Sequence, residues 1–143
     1  MRVVFDTGVV ISGLLLPRSV PRQAIQAART RGDLLVSLAT LEELDDVLRR
    51  SKFDGYVTEE QRLEFLAAYI REAVEVPVNI SLKMCRDPTD DKFLELAVEG
   101  RATHIVFWGS RPPHNALISW HRHREPSPVS VDLIADSRCG AVR

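Results

Sequence analysis

Three aspartates lie close together at the entrance to a predicted helix, in the segment Arg86-Asp-Pro-Thr-Asp-Asp-Lys-Phe-Leu94. They are Asp87, Asp90 and Asp91. Because neighbouring carboxylates repel one another at pH 7, a fold that gathers them usually offsets the repulsion with a cation or with N–H donors. This acidic segment is the first candidate site, and its chemistry depends on which other acids the fold brings to it.

Two further acids, Asp6 and Glu43, are expected to lie near the acidic segment at one edge of a sheet. Asp6 directly follows the apolar run Arg2-Val-Val-Phe, and Glu43 lies in the second turn of the helix after the next strand. In open parallel α/β sheets, sites form beyond the carboxyl ends of the strands. Carboxylates without interspersed histidine or cysteine suit Mg²⁺ or Mn²⁺ rather than zinc. Three separate segments are therefore predicted to bring hard oxygen ligands to one edge.

Each acid also has an ordinary structural role open to it. Asp6 could cap the helix that follows it, and Glu43 could close a capping box with Thr40. Asp87 suits a turn, Asp90 suits a helix cap, and Asp91 suits the first turn of a helix. Only their joint placement favours a functional site over these separate roles.

Alternating strands and helices are predicted to position these residues. Short β-branched or apolar runs indicate strands at 2–5, 33–37, 76–78 and 103–107. Helical periodicity, with Ser37 as a cap and Thr58 opening a capping box, indicates helices at 9–16, 20–31, 38–50, 58–74 and 90–99. This alternation predicts an α/β fold with a mostly parallel sheet covered on both faces.

Composition favours a single cytoplasmic domain. The chain has 143 residues, enough for a proper core, and its formal net charge of -1 rules out a global polycation. The two cysteines form neither a metal-binding spacing nor a disulfide framework, which suits a reducing compartment. No apolar run approaches the roughly 18 residues of a membrane span, and the start lacks a signal peptide's pattern, so no membrane association is expected.

The segments that carry these acids resemble a known family. The run Val3-Val-Phe-Asp-Thr-Gly-Val-Val-Ile-Ser12, the pair Glu43-Leu44 and the acidic segment are similar to the motifs of the PIN domain. The closest branch is the toxins of prokaryotic toxin–antitoxin systems that are related to the VapC ribonucleases. The resemblance covers roughly residues 1–107 and implies a PIN-like three-layer α/β/α sandwich.

The resemblance also implies an activity. It implies a Mg²⁺- or Mn²⁺-dependent endoribonuclease whose metal ligands and catalytic residues are Asp6, Glu43 and Asp91, with Asp90 and Asp87 as secondary candidates. The hydroxyl of Thr7 could hold Asp6 or a metal-bound water. The implied partners are an RNA substrate and a cognate antitoxin protein, and a homodimer is usual among relatives.

The chain departs from the family after the last predicted strand of the PIN-like region. Relatives continue with a small residue and then Gly-Asp-x-Asp-Leu-Leu, whereas this chain continues Phe107-Trp-Gly-Ser-Arg-Pro-Pro and has no acid before Glu125. Removing one T from codons that encode this stretch permits Ser-Gly-Asp-Arg-Asp-Leu-Leu. We therefore hypothesise a one-base frameshift near residue 107, with an atypical segment at 108–143 and the C-terminal strand lost or replaced. A lost strand would leave a sheet edge exposed.

Two rival functions remain open at this stage. The first is a degenerate PIN domain that binds proteins without cleaving RNA. The second is a phosphatase or phosphoacceptor with an acidic pocket, which is disfavoured because the first strand ends in Asp-Thr-Gly without a second aspartate two residues on.

Overall fold

The sheet runs through the centre of the molecule. The structure, a computed structural model, describes residues 1–85 and 87–107, together with the backbone of residues 117–119. The sequence of the atypical segment also indicates a final strand or helix at 129–135, and this expectation lies outside the described residues. Within the described part, five strands form one sheet in the order β3-β2-β1-β4-β5. Their bounds are Arg2–Phe5 for β1, Asp33–Val36 for β2, Ala73–Glu75 for β3, His104–Val106 for β4 and Leu117–Ser119 for β5.

Four of these strands are parallel, as predicted. β1 lies between β2 and β4, with Val4 opposite Leu35 on one side and Ile105 on the other. β5 pairs antiparallel with β4, so that Ser119 lies opposite His104. A strand therefore occupies the sheet edge beyond β4, and this edge is paired rather than left exposed.

The five predicted helices form close to their expected bounds. They are α1 Thr7–Leu15, α2 Val20–Arg31, α3 Leu38–Leu48, α4 Glu59–Glu72 and α5 Asp91–Glu99. The cap at Ser37 is confirmed, and so is the capping box at the start of α4, in which Thr58 and Gln61 exchange hydrogen bonds. Local capping chemistry thus fixes where the helices that flank the site begin. No helix in the described ranges is both long enough and apolar enough to cross a membrane.

The third strand differs from its predicted position. It was expected at 76–78 but forms at Ala73–Glu75, with Val74 opposite Leu35. β2 ends at Val36, whose carbonyl accepts the N–H of Val76 at 2.8 Å. The next residue, Pro77, has no N–H and does not extend the ladder. The partner strand therefore decides which residues pair, and helix α4 ends earlier than its periodicity suggests.

Two apolar cores cover the two faces of the sheet. Alternate strand residues such as Phe5 and Val36 pack with helices α1 to α4 on one face, while Val4 and Leu35 pack with α5 on the other. Because side chains alternate along a strand, each short strand contributes to both cores. The three-layer α/β/α sandwich expected from the sequence is confirmed.

Candidate functional site

Asp6 lies at the carboxyl end of β1 and caps α1. Its Oδ1 accepts the N–H of Val9 at 2.7 Å, and its own N–H donates to the carbonyl oxygen of Val106 at 3.0 Å. The residue is 7% exposed. The capping role expected for this aspartate is therefore real, and it fixes a buried carboxylate at the point where β1 and β4 end.

A small and mostly apolar cavity lies near the end of β1 and the start of α1. A cavity of about 10 Å³ is lined by residues that include Thr7, Thr40 and Tyr69. The Oγ1 atom of Thr7 is buried and has no hydrogen-bond partner among the described residues. A cavity of this size has room for about one water molecule, which needs polar partners to stay there. The unsatisfied hydroxyl of Thr7 thus belongs to the residue that directly follows Asp6 in the chain.

Tyr69 enters this region from α4. Burial raises the pKa of its phenol far above the ordinary value of 10.0, and the negative charge of Asp6 raises it further. The phenol therefore stays neutral and adds no charge to the surroundings of Asp6. Sequence reasoning did not identify Tyr69 as a neighbour of the site. Its available signal was its helical spacing with Phe65 and Leu66 on the apolar face of α4.

Glu43 projects from the second turn of α3. The capping box of this helix is formed by Ser37 and Thr40, so the pairing of Glu43 with Thr40 that was considered from sequence is wrong. Instead, Oε2 of Glu43 lies 3.2 Å from Nζ of Lys92 in the acidic segment. This oxygen is buried and has no hydrogen-bond donor with acceptable geometry in the described part of the chain. The contact is an ion pair between α3 and α5.

Asp91 is buried at the first turn of α5 and fastens the preceding loop. Its Oδ1 accepts the N–H groups of Met84 at 3.0 Å and Cys85 at 2.7 Å, and the residue is 6% exposed. Burial alone would raise the pKa of this carboxyl. The backbone donors of Cys85 and Met84 outweigh that effect, together with the Cys85 thiol, and hold the pKa below its ordinary value of 3.8. Asp91 is therefore a carboxylate held ionised by fixed dipoles.

The two secondary candidates occupy the turn before α5. Oδ1 of Asp87 accepts the N–H of Thr89 at 2.9 Å and its hydroxyl at 2.7 Å, which is the turn role expected from sequence. Asp90 ends the 3₁₀ turn Pro88–Asp90 and occupies the N-cap position of α5. Its side chain makes no capping hydrogen bond to that helix. Asp90 directly precedes Asp91 in the chain, and Asp87 precedes the 3₁₀ turn.

The five acids share one edge of the sheet but are not gathered around a single point. Asp6 and Asp91 are both buried there, and Glu43 is linked to the same edge through Lys92. Among the residues that the structure describes, no three histidine, cysteine, aspartate or glutamate side chains are arranged to hold a metal ion. The donor chemistry, anionic oxygen atoms in buried positions, fits Mg²⁺ or Mn²⁺. The ligand set itself stays a prediction.

Comparisons with known proteins agree with this architecture. A family model described as the PIN domain matches residues 2–108. The uncharacterized protein MJ1680 of Methanocaldococcus jannaschii is 30% identical over 108 residues, which are 74% of this chain and 70% of that protein.

A solved structure shares the same fold. It is the crystal structure of VapBC2 from Rickettsia felis bound to a DNA fragment from their promoter, with a TM-score of 0.55 and 14% sequence identity. The alignment covers 74% of this chain and 86% of the other. At this level of identity the likeness concerns the fold alone.

Proposed function

The chain belongs to the PIN-domain family, and on that premise we propose that it is a metal-dependent endoribonuclease that acts where β1 and β4 end. PIN domains are generally nucleases. The observation that carries the proposal is the pair of buried carboxylates, Asp6 and Asp91, at one edge of the sheet. Burying two carboxylates is costly unless hydrogen bonds or a cation hold their charge. Backbone N–H groups hold both carboxylates in fixed positions at this edge, and two fixed carboxylates there support a role in cation binding.

Each residue has a definite part in the proposed mechanism. Asp6, Glu43 and Asp91 would hold Mg²⁺ or Mn²⁺, which when bound activates a water and neutralises charge on the phosphodiester. The N–H of Val9 orients Asp6 through Oδ1. The loop donors favour the ionised form of Asp91, and the unpartnered hydroxyl of Thr7 would orient a water.

We further propose that the protein is the toxin of a toxin–antitoxin pair in the cytoplasm, with RNA as its substrate. Two observations support this: the motif resemblance to VapC-related toxins, and the shared fold with a chain of VapBC2. The proposed partner is an antitoxin protein that covers the acidic edge, the sheet edge where Asp6, Glu43 and Asp91 lie. The proposed assembly is a homodimer. Expression of the wild-type protein alone should then arrest growth, and expression of Asp6→Asn should not.

Removing one charge at Asp6 tests the catalytic proposal. Asn can keep the capping hydrogen bond to Val9, so Asp6→Asn removes the charge with little expected cost in stability. Loss of a second-shell partner of a metal ligand already costs roughly 10- to 100-fold, so loss of the ligand's charge should lower RNA cleavage by about 100-fold or more. Asp91→Asn should do the same. Asp46→Asn, an exposed change on α3, is the matched control and should cleave as the wild type does. Unchanged cleavage in both Asp6→Asn and Asp91→Asn would contradict the proposal.

A second candidate function has its own support. Glu43 is paired with Lys92, Asp91 holds a loop, and the sequence has no acid in the expected position after β4. These features favour a PIN domain that binds an antitoxin or itself and cleaves nothing. Absence of cleavage at every Mg²⁺ and Mn²⁺ concentration, in a folded wild-type protein, would select this alternative.

A further inference from the structure

Within the described residues, the ammonium group of Lys92 lies among the acids at the carboxyl ends of β1 and β4. Nζ of Lys92 lies 3.2 Å from Oε2 of Glu43, and the two side chains are 24% and 26% exposed. The lysine directly follows Asp91 and belongs to the same first turn of α5. A partly buried ion pair therefore joins the helix that carries one predicted ligand to the helix that carries another.

The geometry of this pair shows what the ammonium does for Glu43. Oε2 is buried away from water and receives no well-aligned hydrogen bond within the described ranges. Lys92 therefore supplies charge compensation to this oxygen. Such an interaction can be replaced by any cation that reaches the same oxygen, and a divalent ion would bind it more strongly.

We propose that Lys92 is an internal counter-ion that holds the Glu43 carboxylate and competes with Mg²⁺ or Mn²⁺ for it. This inference rests on the metal site proposed above. Lys92 is then a positioning residue: it sets the orientation of Glu43, and through that the metal concentration at which the site fills.

The competition follows from simple electrostatics. A divalent ion on Glu43 would lie within a few ångströms of the Lys92 ammonium unless that side chain moved away. Each arrangement opposes metal binding, either through repulsion between like charges or through loss of the ion pair. Removing the ammonium removes both penalties, so the metal should bind more tightly.

The test is Mn²⁺ binding by calorimetry, after chelation and dialysis, to the full-length wild type and to Lys92→Met. The expected dissociation constant of Lys92→Met is about tenfold lower than that of the wild type, the size of one charged contact. Lys92→Arg keeps the charge and should bind as the wild type does. In the Glu43→Gln background, Lys92→Met should raise Mn²⁺ affinity by clearly less than tenfold, because the ion pair is already absent and only repulsion between the ammonium and the metal remains.

Lys83→Met is the matched control. Lys83 is exposed on the loop before the acidic segment, so this variant makes the same change in net charge without touching the ion pair. Its Mn²⁺ affinity should stay within about twofold of the wild type, since an exposed charge is screened. Circular dichroism checks that each variant is folded, and Lys92→Gln carries the same prediction should Lys92→Met fail to fold.

The possible failures are distinguishable. Equal affinity in wild type and Lys92→Met, or weaker binding in the variant, overturns the competition and leaves the metal site standing. A tenfold gain that also appears in Lys83→Met overturns it too, because the effect is then one of net charge. If neither the wild type nor Lys92→Met binds Mn²⁺, the proposed metal site fails and the inference fails with it.

Discussion

At the scale of single residues, backbone N–H groups hold the carboxylates of Asp6 and Asp91 in place at the candidate site. The sequence correctly indicated that Asp6 caps a helix and that the start of α5 is acidic. It did not indicate that Asp91 would accept hydrogen bonds from Met84 and Cys85. That contact depends on the path of a loop without periodicity. The partnership of Lys92 with Glu43 was equally hidden, because the two residues lie on different helices.

Asp91 should contribute to the pH dependence of stability. Its pKa in the folded protein is below the ordinary 3.8, so the folded state binds a proton less readily than the unfolded state does. The stabilisation is therefore fully present above that value and is lost as the pH falls through the lower folded pKa. Urea unfolding over the range from roughly pH 5 to pH 2.5 should show a steeper loss in the wild type than in Asp91→Asn. Parallel curves for these two proteins would contradict this, and Asp46→Asn should follow the wild type.

Tyr69 makes a prediction at the alkaline end. Its pKa is raised by burial and by Asp6, so the unfolded state ionises this phenol before the folded state does. Stability is then unaffected by Tyr69 below pH 10.0 and falls as the pH rises above it. The chain has two tyrosines, and Tyr56→Phe leaves Tyr69 as the remaining one. In that variant, phenolate absorbance should appear together with loss of the circular dichroism signal. A smooth titration near pH 10.0 in the folded protein would contradict the prediction.

At the scale of elements, the helix starts capped by Ser37 and Thr58 were predictable from sequence, whereas the position of β3 was not. Side-chain caps such as Ser37 and Thr58 are local, and their sequence signals were confirmed. The position of β3 depends on pairing with β2, which no local pattern records. Helix α5 ends at Glu99, as predicted. Gly100 was predicted to stop this helix and does so, but with right-handed backbone angles of φ -76° and ψ -4°.

Arg101 is the residue that turns the chain after α5. It has a φ of 50°, a left-handed conformation, and the N–H of Ala102 donates to the carbonyl of Ala97 at 2.8 Å. Gly100 is instead favoured by packing, because a Cβ there would lie 2.8 Å from the backbone oxygen of Leu96. Left-handed backbone is unfavourable for residues with a Cβ and is natural for glycine at this position.

Arg101→Gly should therefore stabilise the protein. The expected gain in the free energy of unfolding is about 0.5–1 kcal/mol, after the greater entropy of glycine in the unfolded chain is deducted. Arg49→Gly is the contrasting control, since Arg49 caps α3 with a φ of -79°. It should lower the free energy of unfolding. Denaturant titration measures both, and a lower stability of Arg101→Gly would show that the left-handed turn carries no strain.

At the scale of the whole molecule, the fold was predictable because strand and helix periods alternate up to β4. The parallel strands, the helices on both faces of the sheet and the PIN-domain membership agree with the expectations for residues 1–107. The division of the chain into 1–107 and 108–143 stays a prediction, although the family match ends at residue 108. β5 was missed because Leu117-Ile-Ser is too short to give a strand signal and lies in a segment without clear period.

The frameshift hypothesis makes a prediction about the gene. Deleting one T in the codon for Phe107 should give the reading Ser-Gly-Asp-Arg-Asp-Leu-Leu, which would supply the acidic motif of relatives. The nucleotide sequence of codons 105 to 115 tests it directly. Codons for Ser110 or Arg111 that are incompatible with this shifted reading would rule the hypothesis out.

We propose a metal-dependent ribonuclease site at the sheet edge where β1 and β4 end. The most direct measurement is the initial rate of cleavage of a labelled single-stranded RNA by the chelator-treated wild-type protein, as Mn²⁺ is titrated in. We expect no RNA cleavage without metal and a saturable rise in the cleavage rate as Mn²⁺ is added. In Asp6→Asn this rise should be lost. Cleavage that persists unchanged in excess chelator, or a folded protein that cleaves nothing at any Mn²⁺ concentration, would contradict it.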